Sequence, residues 1–221
     1  MSSLQAAKYA REQMVAQQIR AWDVLDERIL NLFRELTREQ FVPAAYRDLA
    51  YADTDIPLGH GQHMLAPKVV GRILQALKVQ PHEQVMEVGT GSGFLSACLA
   101  LQGAAVHSVE IFADLAEQAR RNLAAAGIAK VQVVTGDALG MLAGPARFDA
   151  IVVTASLPVY DSRFEAQLKP GGRLFVVVGE GAAMDARLIT IEASGQRRQE
   201  SLFETVLDPL VNALRIEHFR F

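Results

Sequence analysis

Cysteine is almost missing: Cys98 is the single one in 221 residues. One thiol cannot close an internal disulfide, so a reducing cytoplasm is the expected location. Its apolar neighbours mark Cys98 as a small buried hydrophobe. Long apolar runs are missing too. None reaches the roughly 20 residues that a membrane span needs. The N-terminus, MSSLQAAKYAREQMVAQQIR, is amphipathic and charged and lacks the continuous apolar stretch of a secretory signal. Neither sign of charge dominates. The formal net charge is -3 and no basic run stands out, which argues against a nucleic-acid partner. No group of Cys, His and carboxylate residues has ligand spacing, so no metal is expected. Repeats and low-complexity linkers are also lacking.

What is present reads as globular. Half of the residues are hydrophobic and 21% are charged. The length suits one α/β domain with a sizeable core and some extra elements. The expected organisation is a single domain over 1–221, with an N-terminal helical cap and loop at 1–67 and an α/β core at 68–221.

Along the cap, Met14, Val15, Gln18, Ile19 and Trp22 fall near one helical face, and Ile29, Leu32, Phe33 and Leu36 form a second stripe. Thr37 followed by Gln40 has the spacing of a capping box, and Pro43 limits the helix that it would open. Residues 48–67 are rich in Gly, Pro and Asp and predict a long loop without regular structure, a kind of segment that is often functional. Pro67 suits the first position of the next helix.

From residue 84 strands and helices alternate. Strands are predicted at 85–88, 105–110, 131–134, 148–153 and 173–178, and helices at 92–101 and 113–126. Pro170-Gly171-Gly172 predicts a tight turn before the fifth strand. This alternation implies a doubly wound, mostly parallel sheet with right-handed crossovers. Residues 188–191 and 205–207 predict further strands with no helix between them, hence antiparallel strands at one edge.

The chemistry centres on VMEVGTGSGF, Val85 to Phe94. Gly89, Gly91 and Gly93, with Thr90 and Ser92 between them, sit between a buried strand and a helix start, where backbone can approach a ligand closely. A dinucleotide fingerprint, G-x-G-x-x-G, would need a third glycine where Phe94 stands. No phosphate-binding G-x-x-x-x-G-K-[ST] occurs either. Glu87, two residues before Gly89, would repel a diphosphate and suits a ligand with a positive amino group.

These residues resemble the first motif of the class I, Rossmann-like S-adenosylmethionine methyltransferases, an acidic residue followed by G-x-G-x-G. The resemblance continues in order. It implies that Glu110, with Ile111 after it, accepts the ribose hydroxyls, and that Asp137 and Ala138 in Gly136-Asp137-Ala138 meet the adenine. Phe148-Asp149 and Leu168-Lys169-Pro170-Gly171-Gly172 match later motifs. Asp137 and Asp149 also have plain structural readings, as a turn residue and a strand-end cap.

A closer resemblance lies outside that core. QMVAQQI, REQFVPAAYRDLAYAD, PLGHGQ with Pro67, IVVTASLP and Asp208-Pro209-Leu210 resemble the protein-L-isoaspartate O-methyltransferases across nearly the whole chain. The resemblance implies carboxyl methylation, in protein repair, of a peptide or protein that bears isoaspartyl residues. S-adenosyl-L-methionine would be the donor and S-adenosyl-L-homocysteine the product. The loop departs from the family. The family reads Gly-Gln-Thr-Ile-Ser, one more residue and Pro, whereas this chain reads Gly61-Gln62-His63-Met64-Leu65-Ala66-Pro67. Leu65 thus stands at the family's active-site serine and has no hydroxyl to donate. His63 stands at the threonine, and Asp55 where a proline is usual.

A carboxylate nucleophile is ionised at neutral pH and needs no general base. His60 and His63 are the loop residues that could orient an acceptor or act as a base; otherwise they are solvated loop histidines. Other acceptors, such as a small carboxylate or hydroxyl, and a non-catalytic binding role remain open on the residues alone. A monomer or a weak homo-oligomer is expected.

Overall fold

The computed structural model describes residues 3–215. The outermost positions of the expected domain, 1–2 and 216–221, lie outside the described residues. The chain opens with helix α1 (Ser3–Gln13), which continues as one π-helical turn, Met14–Ile19. Met14, Val15 and Ile19 are buried there, as their spacing predicts. Helix α2 (Glu27–Glu35) begins at Asp26, whose carboxylate accepts from the Arg28 N–H at 2.9 Å. Ile29, Leu32 and Phe33 form its buried stripe.

The capping box at Thr37 does not form. Arg38–Phe41 is a single 3-10 turn with no side-chain cap from Thr37. The reason is the burial of Arg38, which fixes this turn by contacts elsewhere, as described below. The segment 48–67 is also more regular than predicted. It contains a small antiparallel hairpin, β1 (Ile56–Gly59) and β2 (Gln62–Met64), turned at His60-Gly61. Its strands are too short and too broken by Gly and Pro to show alternation in the sequence.

After α3 (Pro67–Leu77) the main sheet begins. Its strands are β3 (Gln84–Val88), β4 (Ala105–Glu110), β5 (Val131–Thr135), β6 (Phe148–Leu157), β7 (Leu168–Val178), β8 (Met184–Ile191) and β9 (Arg197–Thr205). They form a seven-stranded sheet in the order β5-β4-β3-β6-β7-β8-β9. The first five in that order are parallel, and β8 and β9 are antiparallel. The doubly wound fold with an antiparallel edge is therefore as the sequence indicates.

Helices α4 (Phe94–Leu101) and α5 (Ala113–Ala125) follow β3 and β4. Alternate residues of β3 serve two cores: Val85 packs towards α3, α4 and the N-terminal helices, while Met86 and Val88 pack on the opposite face. Such double burial explains why the strand reads as an apolar run. The chain turns from β4 and β5 on one side of β3 to β6 on the other. Ligands of open α/β sheets bind at such a reversal, outside the carboxyl ends of the strands.

Three boundaries move. Helix α4 starts at Phe94, two residues later than predicted, because Gly93 caps it in a left-handed conformation and Ser92 stays in the loop. Pro170-Gly171-Gly172 is a bulge inside β7: Leu168 pairs with Phe148 and Arg173 with Ala150. The predicted strand at 205–207 ends at Thr205, and the chain beyond it crosses back to β6, where Ser156 bridges Pro209. Among the described residues no helix is long and apolar enough to cross a membrane.

Candidate functional site

A cavity of about 490 Å³ lies where the sheet reverses, at the carboxyl ends of β3, β4 and β6. Its floor is the loop Gly89–Gly93. All three glycines there have positive φ, 90°, 53° and 84°. L-residues with a side chain rarely adopt such values, so the loop is available to glycine and little else. Space makes the same demand. A Cβ on Gly89 would lie 2.3 Å from Oγ1 of Thr154, and one on Gly91 would lie 3.1 Å from the Leu58 side chain.

Glu110, at the end of β4, is 5% exposed. Its Oε2 accepts from the Gly91 N–H at 2.9 Å and its Oε1 from the Phe112 N–H at 3.1 Å. The carboxylate therefore ties the glycine loop to the β4 terminus. Each oxygen keeps a further lone-pair site for a ligand donor. Thr90, Ser92 and Ile111 line the same cavity. Thr90 Oγ1 is 2.5 Å from Ser108 Oγ, and the Ser92 carbonyl accepts from Asn122 Nδ2 at 2.9 Å. The Thr90 side chain and the Ser92 main chain thus hold the loop in shape.

Asp137 and Ala138 follow β5 and line the cavity beside it. Asp137 caps its own turn through the Leu139 N–H at 2.9 Å and accepts from Asn212 Nδ2, also at 2.9 Å. The plain turn reading of Asp137 is therefore met, and one carboxylate oxygen is engaged by the C-terminal segment. Asp149 is likewise structural: it accepts from the Gln84 N–H and from Lys169.

Glu87 borders the cavity at the end of β3 but has no exposed surface of its own. Its Oε2 accepts from the hydroxyls of Ser96 and of Ser108, the latter at 2.6 Å, while Oε1 has no partner. Burial pushes its pKa up to about 7, against the pull of the two hydroxyls. A carboxyl in this position acts on the loop from below.

Both loop histidines are exposed to solvent, and each also has a partner. His60, at the hairpin turn, stacks on Phe112 with ring centres 4.1 Å apart, and its Nε2 meets both oxygens of Asp114 at 3.0 and 2.9 Å. That pair fastens the hairpin to the start of α5, outside the cavity lining. His63 does line the cavity, and its Nδ1 lies 2.8 Å from Oδ2 of Asp208. Leu65 lines the cavity as well, is 9% exposed and belongs to the main core.

Four residues of the site went unassigned in the sequence. Asp208 stood in the Asp-Pro-Leu stretch without a role, because nothing local joins it to His63, 145 positions away. Thr154 donates from Oγ1 to the carbonyls of Val88 and Gly89 at 2.9 and 2.8 Å and so fixes the start of the loop. Asp55 accepts from the Ala66 N–H at 2.7 Å and ties off the base of the hairpin. Arg38, 1% exposed, donates to the carbonyls of Ala50 at 2.9 Å and Leu65 at 2.8 Å and lies over the Phe94 ring. A charged residue buried in a short polar-looking turn leaves no periodic trace to find.

The family profile described as Protein-L-isoaspartate(D-aspartate) O-methyltransferase (PCMT) matches residues 9–215. A protein-L-isoaspartate O-methyltransferase of Methanoculleus marisnigri is 42% identical over 175 residues, covering 79% of this chain and 80% of the relative. Protein-L-isoaspartate O-methyltransferase 1 of Rhodopseudomonas palustris is 40% identical over 202 residues, covering 91% and 82%. The fold is shared with a crystal structure of a protein-L-isoaspartate O-methyltransferase from Plasmodium falciparum in complex with S-adenosyl-L-homocysteine. That match has a TM-score of 0.75 at 21% identity and covers 92% of this chain and 97% of the other. With motif, sheet order and sequence in agreement, the chain belongs to the protein-L-isoaspartate(D-aspartate) O-methyltransferase family.

Proposed function

We propose that the protein transfers the methyl group of S-adenosyl-L-methionine to the free carboxylate of an isoaspartyl residue in a peptide or protein, a step of protein repair. The observation that carries this reading is the Gly91–Glu110 link at 2.9 Å on the cavity floor. It sets a fixed carboxylate beside a loop that admits close backbone approach, in a chain of this family. The donor set fits the ligand: Glu110 to accept ribose hydroxyls, and Ile111 and Ala138 to give apolar surface to the base, with Asp137 beside them. Thr90 and Ser92 keep the loop in shape. S-adenosylmethionine supplies a methyl carbon already activated by its sulfonium.

What the protein adds is alignment and exclusion of water. Gln62–Leu65 and Val206–Leu210 line the same cavity and would receive the acceptor. A carboxylate acceptor arrives ionised, so no proton need be removed from it. The cap and the sheet are read as one domain, because a single core runs from Met14 through Ile73 to Leu207. A cytoplasmic setting is supported by the lone, buried Cys98 thiol. A monomer or weak homo-oligomer remains the expected assembly.

The test is calorimetry followed by methyl transfer. S-adenosylhomocysteine should bind in the micromolar range, and Glu110→Ala should weaken it by about 1–3 kcal/mol. Labelled methyl should pass to an isoaspartyl peptide and not to its aspartyl isomer. Absence of binding heat sinks the cofactor reading. Binding without transfer to the isoaspartyl peptide sinks the acceptor reading alone.

A further inference from the structure

We propose that His63, oriented by Asp208, is the residue that binds the acceptor carboxylate, donating from Nε2 as an imidazolium. This inference rests on the acceptor reading above and goes beyond it by naming the group that makes the contact.

Charge balance is the starting point. Among the described residues no Lys or Arg lines the cavity. Its ionisable lining consists of Asp55, Glu87, Glu110, Asp137, Asp208 and His63. An incoming carboxylate would meet acidic walls, and a buried anion without a charged donor is costly. His63 is the one lining side chain able to supply such a donor. Its neighbours Met64 and Leu65 are apolar, and the Thr154 hydroxyl is already committed to the Val88 and Gly89 carbonyls.

Geometry makes His63 fit for the task. It stands on β2, and its Nδ1 is 2.8 Å from Oδ2 of Asp208. Asp208 is itself held by the main chain: its carbonyl accepts from the Ser156 N–H at 2.8 Å, and the Leu210 N–H donates to the Ser156 carbonyl at 2.8 Å. The imidazole is thus anchored from the end of β6, across the mouth of the cavity. With Nδ1–H given to Asp208, Nε2 is the ring nitrogen left without a protein partner. With that tautomer fixed, Nε2 can donate only when both ring nitrogens carry hydrogen, so the contact with an acceptor carboxylate would be a charge-assisted one. The other ionisable groups of the cavity wall are Asp208 on the C-terminal segment, Asp55 before β1, Glu87 on β3, Glu110 on β4 and Asp137 after β5. All are carboxyl groups, and none offers an incoming carboxylate a cationic donor. His60 cannot serve, since it lies outside the cavity lining, held against Phe112 and Asp114 at the start of α5.

The experiment is steady-state methylation of an isoaspartyl peptide at saturating S-adenosylmethionine, from about pH 5.5 to about 8.5, a range that spans imidazole titration. The parent is compared with His63→Gln and Asp208→Asn, and S-adenosylhomocysteine affinity is the folding control. The expected result has three parts. Peptide KM of the parent rises with pH. His63→Gln raises KM about tenfold at low pH and flattens its pH dependence, with kcat changed less. Asp208→Asn falls between the two, and cofactor affinity stays within about twofold in all. A parent that turns over the peptide while His63→Gln keeps its KM and pH profile overturns this inference and leaves the acceptor reading standing. A KM that falls with rising pH also overturns it, because Nε2 is then needed as a lone pair, as for a hydroxyl acceptor. A parent that binds S-adenosylhomocysteine but methylates no isoaspartyl peptide at any pH removes the acceptor reading, and this inference with it.

Discussion

The hydroxyl oxygen of Thr154 occupies the space that a Cβ on Gly89 would need, 2.3 Å from its ideal position. Gly89 directly follows β3 and Thr154 lies on the neighbouring parallel strand β6, and the contact locks the first turn of the glycine loop to β6. Gly89 also has a φ of 90°, which alone costs a substituted residue about 1–3 kcal/mol. Gly89→Ala should therefore lower S-adenosylhomocysteine affinity at least about tenfold and reduce the melting temperature. Adding Thr154→Ala removes the clash but not the φ strain. The double variant should bind more tightly than Gly89→Ala alone and less tightly than the parent, as measured by calorimetry. Equal affinities for the single and double variants would show that the clash is relieved elsewhere.

Glu87 links the loop to pH. Its pKa rises from 4.5 to about 7 through burial, so the folded state holds the proton more tightly than the unfolded chain. For an acid with a raised folded pKa, the stabilisation is fully present below about 4.5 and is lost as pH climbs through about 7. The amount is on the order of 3 kcal/mol, from 1.36 kcal/mol per unit. Carboxylates such as Asp161, held below the usual range by Arg163, act in the opposite direction at acid pH. The comparison that isolates Glu87 is urea unfolding of parent and Glu87→Gln at several pH values. The stability difference between them should move in favour of the variant between about pH 5 and 8. A constant difference across that range would place the Glu87 carboxyl in contact with water.

Arg38 carries the hairpin from beneath. Burial draws its pKa down to about 10, yet it stays charged at neutral pH and makes its two carbonyl bonds. Arg38→Met keeps volume and contact with Phe94 but leaves the Ala50 and Leu65 carbonyls without a donor. The expected loss is on the order of 2–4 kcal/mol of stability, read by urea unfolding. Because the Leu65 carbonyl belongs to the acceptor wall, peptide KM should rise more than S-adenosylhomocysteine Kd. Equal changes in the two would make Arg38 a general core residue with no special hold on the hairpin.

Sequence and structure agree most closely where the signal is local. The β/α alternation and the glycine triplet announce themselves through periodicity and turn chemistry, and Glu110, about 20 residues on, through the family resemblance. The site fails to show where it depends on distance. His63 and Asp208 meet across 145 positions, and Arg38 reaches the Leu65 carbonyl over 27. Glu87 shows the converse. Its place before Gly89 suggests a ligand contact; it borders the cavity, but its carboxylate is taken up by Ser96 of α4 and Ser108 of β4. Register decides which face a residue takes, and the motif alone does not state it.

Leu65 tests whether the altered loop is a defect or a different solution. A hydroxyl at this position would donate to a carboxylate, and a charge-assisted bond of that kind is worth roughly 1.5–3 kcal/mol. From the sequence alone, Leu65→Ser should then raise methylation of an isoaspartyl peptide at least about tenfold. The structure alters that expectation in two respects. Leu65 is packed into the main core at 9% exposure, so its removal opens a cavity and should cost about 2–4 kcal/mol of stability. The acceptor wall also holds a donor already, since His63 is anchored by Asp208 at 2.8 Å. We therefore expect Leu65→Ser to melt several degrees lower and to gain less than about tenfold in kcat/KM, at a temperature where both proteins are folded. Combined with His63→Gln, the serine should matter more, because it then becomes the main donor facing the carboxylate. A gain well above tenfold in Leu65→Ser alone would mean that the leucine limits the reaction and that the His63–Asp208 pair does not replace the missing hydroxyl.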